Sequence, residues 1–288
     1  MRIFLDTRDH IWLIDRCEEN DTNAFAKSLQ QGCHELVYSM HNIMEYCAPL
    51  LQSSNNNSIM RGLNRLEDIP HAYIAEVKIP MLELMEGTRA FQEQREYIPI
   101  DPFVQRFYEV VSPFDQSARH KYMRYGLAEA VFEIWRDNPA LLQPYTDVAN
   151  QVLITRNLDR NRPDYKQHIR KLPNSILKNL KLYNIDFPRD KVNDLATWIL
   201  NNPNRCPATK LSYEVYHKIV RNLNDQGEVS DIPDFTHVDC IPYVDAITLD
   251  RRMLGYVKQA DCSMGTQYSE KLFSNLNGIR TSIDKVAD

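Results

Sequence analysis

The first fifty residues alternate between short apolar runs and helical patterns, and this alternation restricts the fold more than any other feature. Residues 2–6 (RIFLD) form an apolar run that ends in an acid, and residues 34–39 (HELVYS) form the next run. Residues 7–17 and 40–51 follow these runs with apolar side chains at helical spacing. The order strand, helix, strand, helix is typical of α/β proteins with a parallel sheet.

Residues 234–252 (DFTHVDCIPYVDAITLDRR) carry many charged side chains among apolar residues that are typical of a protein interior. Pro233 suits the first turn of a helix and Pro242 discourages its continuation, so a short helix is predicted between them. A strand follows this helix, and Asp250 stands at the carboxyl end of that strand. Because ligands of open parallel sheets bind at this edge, we expect Asp250 to lie beside a site.

The middle of the chain has a different character. The polar run at residues 52–58 predicts a boundary, and helical apolar stripes follow it without a convincing alternating strand between about residues 100 and 222. The 15 prolines of the chain argue against a coiled coil or a regular helical repeat. We therefore predict a discontinuous α/β core of residues 1–52 and 222–288, interrupted by a mostly α-helical insertion of residues 53–221.

Composition argues against several classes of protein. No run of about 18 apolar residues occurs and an acid stands at position 6, so neither a transmembrane helix nor a signal peptide is predicted, and a cytoplasmic location is expected. The six cysteines form no C-x-x-C pair, which argues against a zinc knuckle or a disulfide framework. Glycine-rich nucleotide-binding motifs are absent. The net charge of −5 does not indicate a general nucleic-acid binder, although local patches decide such binding.

Four acids are candidates for a metal site at one edge of the sheet. Asp6 and Asp250 each follow a strand, whereas Glu45 and Asp234 lie on helices that flank the sheet. Converging carboxylates repel one another, so they are stable as anions only around a cation, and oxygen ligands favour Mg²⁺ or Mn²⁺. Such a site suits phosphodiester hydrolysis, because the metal holds the phosphate and lowers the pKa of the attacking water.

Simpler roles remain open for the same residues. Asp6, Ser39 and Asp234 each suit the capping position of a helix. Glu45 suits the solvated face of an amphipathic helix. His237 lies one turn after Asp234 and is either a substrate contact or a hydrogen-bonded helix residue.

Residues 155–181 hold eight Lys or Arg against two Asp and form a candidate track for a nucleic-acid backbone. A solvated helical face, or a contact with an acidic partner protein, is equally consistent with this composition. The candidate substrate-binding residues here and after the last strand are Arg160, Arg162, Lys166, Arg170, Lys171, Arg251 and Arg252.

Three motifs resemble those of the PIN-domain nuclease family. FLDT supplies a first strand and its acid, Asp6, and SMHNIME places Ser39 six residues before Glu45. DFTHV and AITLD supply a helical acid and a T-x-D strand end. The resemblance covers roughly residues 1–50 and 228–255. It implies a Rossmann-type three-layer α/β sandwich with a parallel sheet and a Mg²⁺- or Mn²⁺-dependent endoribonuclease site.

The resemblance also implies roles for individual residues. The catalytic metal ligands would be Asp6, Glu45, Asp234 and Asp250, with Asp231 as the alternative to Asp234. Residues in supporting positions are Thr7, Arg8, Ser39, Asn42, His237 and Thr248. Thr248 would brace the site through its hydroxyl, and Ser39 would cap the glutamate helix. The family often has asparagine where Arg8 stands, and the arginine could put a cation beside the metal or the phosphate.

The expected partner is nucleic acid, RNA rather than DNA, and no membrane is expected. The family includes bacterial toxins and defence effectors, so such a role is implied by the resemblance. A partner or inhibitory protein and an oligomer remain open. The alternative is a PIN-like module that binds nucleic acid or protein with a degraded site, and Arg8 and the ambiguous third acid favour it. A phosphatase of the haloacid dehalogenase type is disfavoured, since Arg8 stands where its second aspartate is expected.

Overall fold

A mostly parallel sheet of six strands lies at the centre of the described part of the chain. The computed structural model describes residues 1–16, 19–47, 57–112, 115–137, 172–222 and 231–287. The strands are β1 (Arg2–Phe4), β2 (Glu35–Ser39), β3 (His71–Ile74), β4 (Phe103–Val104), β5 (Ala246–Thr248) and β6 (Leu272–Phe273). Their order is β4-β3-β2-β1-β5-β6, with β4 antiparallel to β3 and the other described pairs parallel. The predicted α/β class is confirmed.

The chain reverses its direction of travel across the sheet at β1. It moves outwards from β1 through β2 and β3 to β4, and it then returns to place β5 on the other side of β1. In open parallel sheets, ligands bind where the strand order reverses, beyond the carboxyl ends of the strands. Here that point is the boundary between β1 and β5, and the residues that follow these two strands include Asp6 and Asp250.

Helices connect the strands and surround the sheet. They are α1 (Thr7–Ile11), α2 (Glu19–Gln31), α3 (Met40–Cys47), α4 (Asn57–Asp68), α5 (Ile79–Gln92), α6 (Phe107–Val111), α7 (Ala118–Asp137), α8 (Leu172–Leu182), α9 (Val192–Leu200), α10 (Pro207–Arg221), α11 (Asp231–Cys240), α12 (Arg251–Met264) and α13 (Leu276–Ala287). Among the helices that the structure describes, none is both long and apolar enough to cross a membrane.

Both faces of the sheet are buried. Ile3 and Tyr38 point into one apolar cluster, to which α2, α3, α4, α7 and α13 contribute. Phe4 and Val37 point to the opposite cluster, to which α10, α11 and α12 contribute. Because central strands of this kind are apolar on both sides, they occur as continuous apolar runs in the sequence. Helices on both faces of a mostly parallel sheet are compatible with a three-layer α/β sandwich.

A third apolar cluster contains no strand residue and joins α5, α8 and α9. Leu84 of α5, Ile176 of α8, and Leu195 and Ile199 of α9 are all fully buried in it. Within the described residues, this cluster forms a helical unit beside the sheet. One of the helical apolar stripes predicted for the middle of the chain, with Leu195 and Ile199, forms α9.

The prediction that residues 53–221 form an insertion separate from the sheet is wrong in its first half. Both β3 and β4 fall within this range, and β3 pairs directly with β2 of the core. Helices α4 and α7 also pack on the sheet, through residues such as Leu63 and Val131. These strands were not evident in the sequence because four residues in β3 and two in β4 are too few to show an alternating pattern.

Candidate functional site

Asp6 lies just beyond the carboxyl end of β1, where it caps α1. Its Oδ1 atom accepts a hydrogen bond from the backbone N–H of Arg8 (3.0 Å), and its own N–H donates to Thr248 Oγ1 (2.7 Å). Burial raises the pKa of Asp6 above its ordinary value, and the charges of Asp9 and Glu45 raise it further, against the opposing effect of Arg8. A partly buried carboxylate beside other acids is electrostatically suited to a cation.

Glu45 is held near Asp6 by a hydroxyl and an amide. The hydroxyl of Thr7 donates a hydrogen bond to Glu45 Oε2. The side-chain amide of Asn42 donates to Thr7 Oγ1 (3.2 Å) and to the backbone carbonyl of Leu5 (3.3 Å). These bonds tie α3, which carries Glu45, to the end of β1.

Ser39 and Asn42 fix the start of α3. Ser39 Oγ accepts a hydrogen bond from the N–H of Asn42 (3.1 Å), and Asn42 Oδ1 accepts one from the N–H of Ser39 (3.1 Å). Both side chains are buried. This reciprocal arrangement satisfies N–H groups that the start of a helix leaves unpaired. Glu45 follows Asn42 by three residues and therefore lies on the same side of the helix.

Asp250 caps α12 in the way that Asp6 caps α1. Its Oδ1 atom accepts hydrogen bonds from the N–H groups of Arg252 (2.6 Å) and Met253 (2.9 Å). Asp6, Glu45 and Asp250 each use one carboxylate oxygen in these bonds, and within the described residues the second oxygen of each accepts none. Helix capping by Asp6 and Asp250, and the Thr7 hydrogen bond to Glu45, therefore leave one carboxylate oxygen of each side chain available.

The two candidates for the third acid, Asp231 and Asp234, both lie on α11. This helix begins at Asp231 and has Pro233 in its first turn, so the predicted short helix is confirmed. Asp231 and Asp234 are one helical turn apart, and Asp234 is half-buried. Thr236 Oγ1 lies 3.4 Å from Nδ1 of His41 at the start of α3, so this part of α11 is close to α3.

His237 packs in the interior and not at the surface. Its ring is 2% exposed, and its centroid lies 5.0 Å from that of the Phe4 ring. Burial lowers the pKa of His237 to about 3, so the imidazole is neutral near pH 7. This position does not suit the substrate contact that the sequence leaves open.

The chemistry of the edge suits a hard divalent cation, but the arrangement of acids is incomplete. Carboxylate oxygens are the ligands that Mg²⁺ prefers in proteins. In the part of the chain that the structure describes, no three His, Cys, Asp or Glu side chains are grouped so that they could hold a metal ion. The structure links Asp6 to Glu45 through the Thr7 backbone and hydroxyl, but among the described residues no third acid joins them in a group that could hold a metal ion.

Glu76 is a buried acid at the same edge that was not singled out from the sequence. It follows β3, is 0% exposed, and accepts hydrogen bonds from the N–H groups of Met40 (3.4 Å) and His41 (3.0 Å). Its Oε1 atom also lies 3.1 Å from His41 Nδ1. Glu76 therefore caps α3 from the neighbouring strand. An acid after a strand was the available signal, but β3 itself was not recognised as a strand.

Arg8 reaches across the end of the sheet. Its Nη2 atom donates to the backbone carbonyl of Ser274 (3.1 Å) and lies 3.4 Å from Asp9 Oδ2. Because β5 lies between β1 and β6 and Ser274 follows β6, this side chain spans the end of β5.

Arg251 is exposed and Arg252 is half-buried in the first turn of α12. The remaining candidate substrate-binding residues, Arg160, Arg162, Lys166, Arg170 and Lys171, lie outside the described residues.

Asp239 of α11 is half-buried and accepts a hydrogen bond from the hydroxyl of Ser212, whereas the sequence suggests an outer face or a turn. Burial, with a smaller contribution from the charges of Glu83 and Glu76, raises the pKa of Asp239 to about 8, against the opposing effect of the Ser212 hydrogen bond. The folded state therefore binds this proton more tightly than the unfolded state does. Stability from this proton is fully present below pH 3.8 and is lost as the pH rises through about 8.

Replacing Asp239 with asparagine is expected to flatten the fall in the free energy of unfolding between pH 5 and pH 8. Asparagine can still accept the hydroxyl of Ser212 but carries no charge to desolvate. Urea unfolding at several pH values measures this slope. Asp245→Asn is the matched control, because Asp245 is exposed. Equal slopes in the wild type and in Asp239→Asn would contradict the prediction.

Comparison with family models, with curated proteins and with solved structures gave no match to this chain.

Proposed function

We propose that the protein is a Mg²⁺- or Mn²⁺-dependent nuclease that hydrolyses phosphodiester bonds, with RNA as its preferred substrate. The observation that carries the proposal is the hydrogen bond that holds Glu45 to Thr7, the residue after Asp6, at the end of β1, while Asp250 follows the neighbouring strand β5. The three acids come from separate segments of the chain. Each has a carboxylate oxygen that accepts no hydrogen bond from the described residues and is therefore available to a cation.

In this proposal, Asp6, Glu45 and Asp250 would hold the divalent ion, and Asp234 or Asp231 of α11 would be the further acid. When bound, such an ion supplies a polarised phosphate and a water of lowered pKa. Thr7 restrains Glu45 by donating to Oε2, which leaves Oε1 available. Thr248 restrains the backbone of Asp6 without using its carboxylate.

Asp6→Asn and Asp250→Asn are each expected to reduce Mn²⁺-dependent cleavage of labelled RNA by at least ~100-fold. Loss of a residue that only hydrogen-bonds to a metal ligand already lowers activity by about 10- to 100-fold, and loss of the ligand itself should lower it at least as much. Asparagine is as good a helix cap as aspartate, so both variants are expected to keep their fold. Cleavage is measured by gel electrophoresis, and Mn²⁺ binding is measured by calorimetry.

Asp245→Asn provides the matched control for this experiment. Asp245 borders the same strand, β5, but lies at its amino end, where it accepts a hydrogen bond from the N–H of Arg2 (2.7 Å). The control is expected to cleave RNA at the wild-type rate. Cleavage that persists in both Asp6→Asn and Asp250→Asn would rule out these acids as the site.

A second candidate is a module that binds nucleic acid or protein without cutting it. The observation that favours it is that no three potential ligands are grouped for a metal within the described residues, while Asp6 and Asp250 both serve as caps. This candidate predicts that the wild type binds RNA or a protein partner but neither cleaves RNA nor binds Mn²⁺. It also predicts that Asp6→Asn does not change the affinity for that partner.

A further inference from the structure

Arg8 presents hydrogen-bond donors beside the proposed nuclease site. Its side chain is 55% exposed, and both of its contacts, with Ser274 and Asp9, are made by Nη2. The Nε and Nη1 groups have no partner among the described residues. An arginine at this edge therefore has donors to offer to a ligand.

The guanidinium of Arg8 is held in place from two sides. The carboxylate of Asp9 is 8% exposed, and its Oδ1 atom accepts the N–H of Leu276 at the start of α13 (3.3 Å). This bond fixes the carboxylate that pairs with Arg8, and the carbonyl of Ser274 fixes the guanidinium from the far side of β5. An ion pair that is partly exposed contributes little to the free energy of unfolding. The Arg8–Asp9 pair is therefore poorly explained by a role in stability alone.

We propose that Arg8 binds a phosphate of a single-stranded RNA substrate and holds it against the acids that follow β1 and β5. The inference rests on the proposed nuclease function. A phosphate that approaches Asp6 and Asp250 meets like charges, and a fixed guanidinium offsets that repulsion. The planar fork of arginine also matches two phosphate oxygens at once, which the single ammonium group of lysine does not.

The test measures binding of fluorescently labelled single-stranded RNA in EDTA, where no metal-dependent cleavage occurs, at increasing NaCl concentrations. Loss of one phosphate contact lowers the slope of log affinity against log salt by about 0.7 for single strands. Arg8→Ala is expected to show this decrease and an affinity about 10-fold lower at low salt. Arg8→Lys keeps the charge and is expected to keep the slope, with an affinity between the two.

Arg136→Ala is the matched control, because Arg136 is 59% exposed and also pairs with a neighbouring carboxylate, that of Asp137. It is expected to keep the wild-type slope.

If wild-type protein cuts RNA but Arg8→Ala binds it with an unchanged slope, the Arg8 inference is wrong and the nuclease proposal stands. If wild-type protein binds RNA with an Arg8-dependent slope but never cuts it, the nuclease proposal fails and phosphate binding stands. Absence of RNA binding by the wild type overturns the Arg8 inference.

Discussion

Replacing Glu83 with alanine is expected to lower the free energy of unfolding by about 3–5 kcal/mol. Glu83 is 0% exposed in α5 and accepts hydrogen bonds from the N–H groups of Ala208 and Thr209, each at 2.7 Å, and from the hydroxyl of Tyr243. Alanine would leave these buried donors without an acceptor, at a cost of roughly 1–3 kcal/mol each. Burial raises the pKa of Glu83, which means that its charge is costly to bury. Alanine removes that charge, and this gain offsets part of the cost.

Urea unfolding measures this loss, with Glu86→Ala as the control. Glu86 lies almost one turn further along α5 and is 14% exposed. It accepts two hydrogen bonds from Arg95 (2.6 and 2.9 Å) and one from the N–H of Ile98 (3.0 Å). Because solvent can replace Glu86 as the partner of these groups, its removal is expected to cost about 1–2 kcal/mol, less than that of Glu83. Glu83→Gln keeps one acceptor and is expected to fall between the two variants. Equal losses for Glu83→Ala and Glu86→Ala would contradict the proposed role of the buried acceptor.

Strands β1, β2 and β5 could be predicted because their pattern is local. β1 and β2 are buried on both faces and therefore occur as continuous apolar runs, and a residue suited to cap a helix stands at the end of each run. The sequence therefore predicts that Asp6, Ser39 and Asp250 lie at strand ends. The position of Asp6 and Asp250 at the boundary between β1 and β5 depends on the sheet order, which local sequence does not encode.

The other buried polar groups of the fold, including Glu76 at the site, depend on contacts between distant residues. Glu76 bonds to His41, 35 residues earlier, and Glu83 bonds to Ala208, 125 residues later. An amphipathic pattern reports which face of an element is buried, but it does not report which polar group lies opposite. A buried glutamate on an apolar face therefore looks like an irregularity until its partners are known.

Glu76→Ala is expected to lower the free energy of unfolding by about 3 kcal/mol or more, because it removes the acceptor for three groups at the start of α3. The N–H groups of Met40 and His41 and the His41 imidazole would lose this partner in a buried environment. The same helix carries Glu45, so a less firmly held α3 is also expected to weaken Mn²⁺ binding and RNA cleavage under conditions where the variant remains folded.

Two measurements separate these effects of Glu76→Ala. Urea unfolding gives the loss of stability, and Mn²⁺ titration below the onset of unfolding gives the loss of metal affinity. Glu35→Ala is the control, because Glu35 begins the adjacent strand β2 at its opposite end and forms a partly exposed ion pair with Arg2 (3.0 Å). Its loss is expected to cost about 1 kcal/mol or less and to leave Mn²⁺ binding unchanged. A stability loss for Glu76→Ala as small as that of the control would show that Glu76 does not anchor α3.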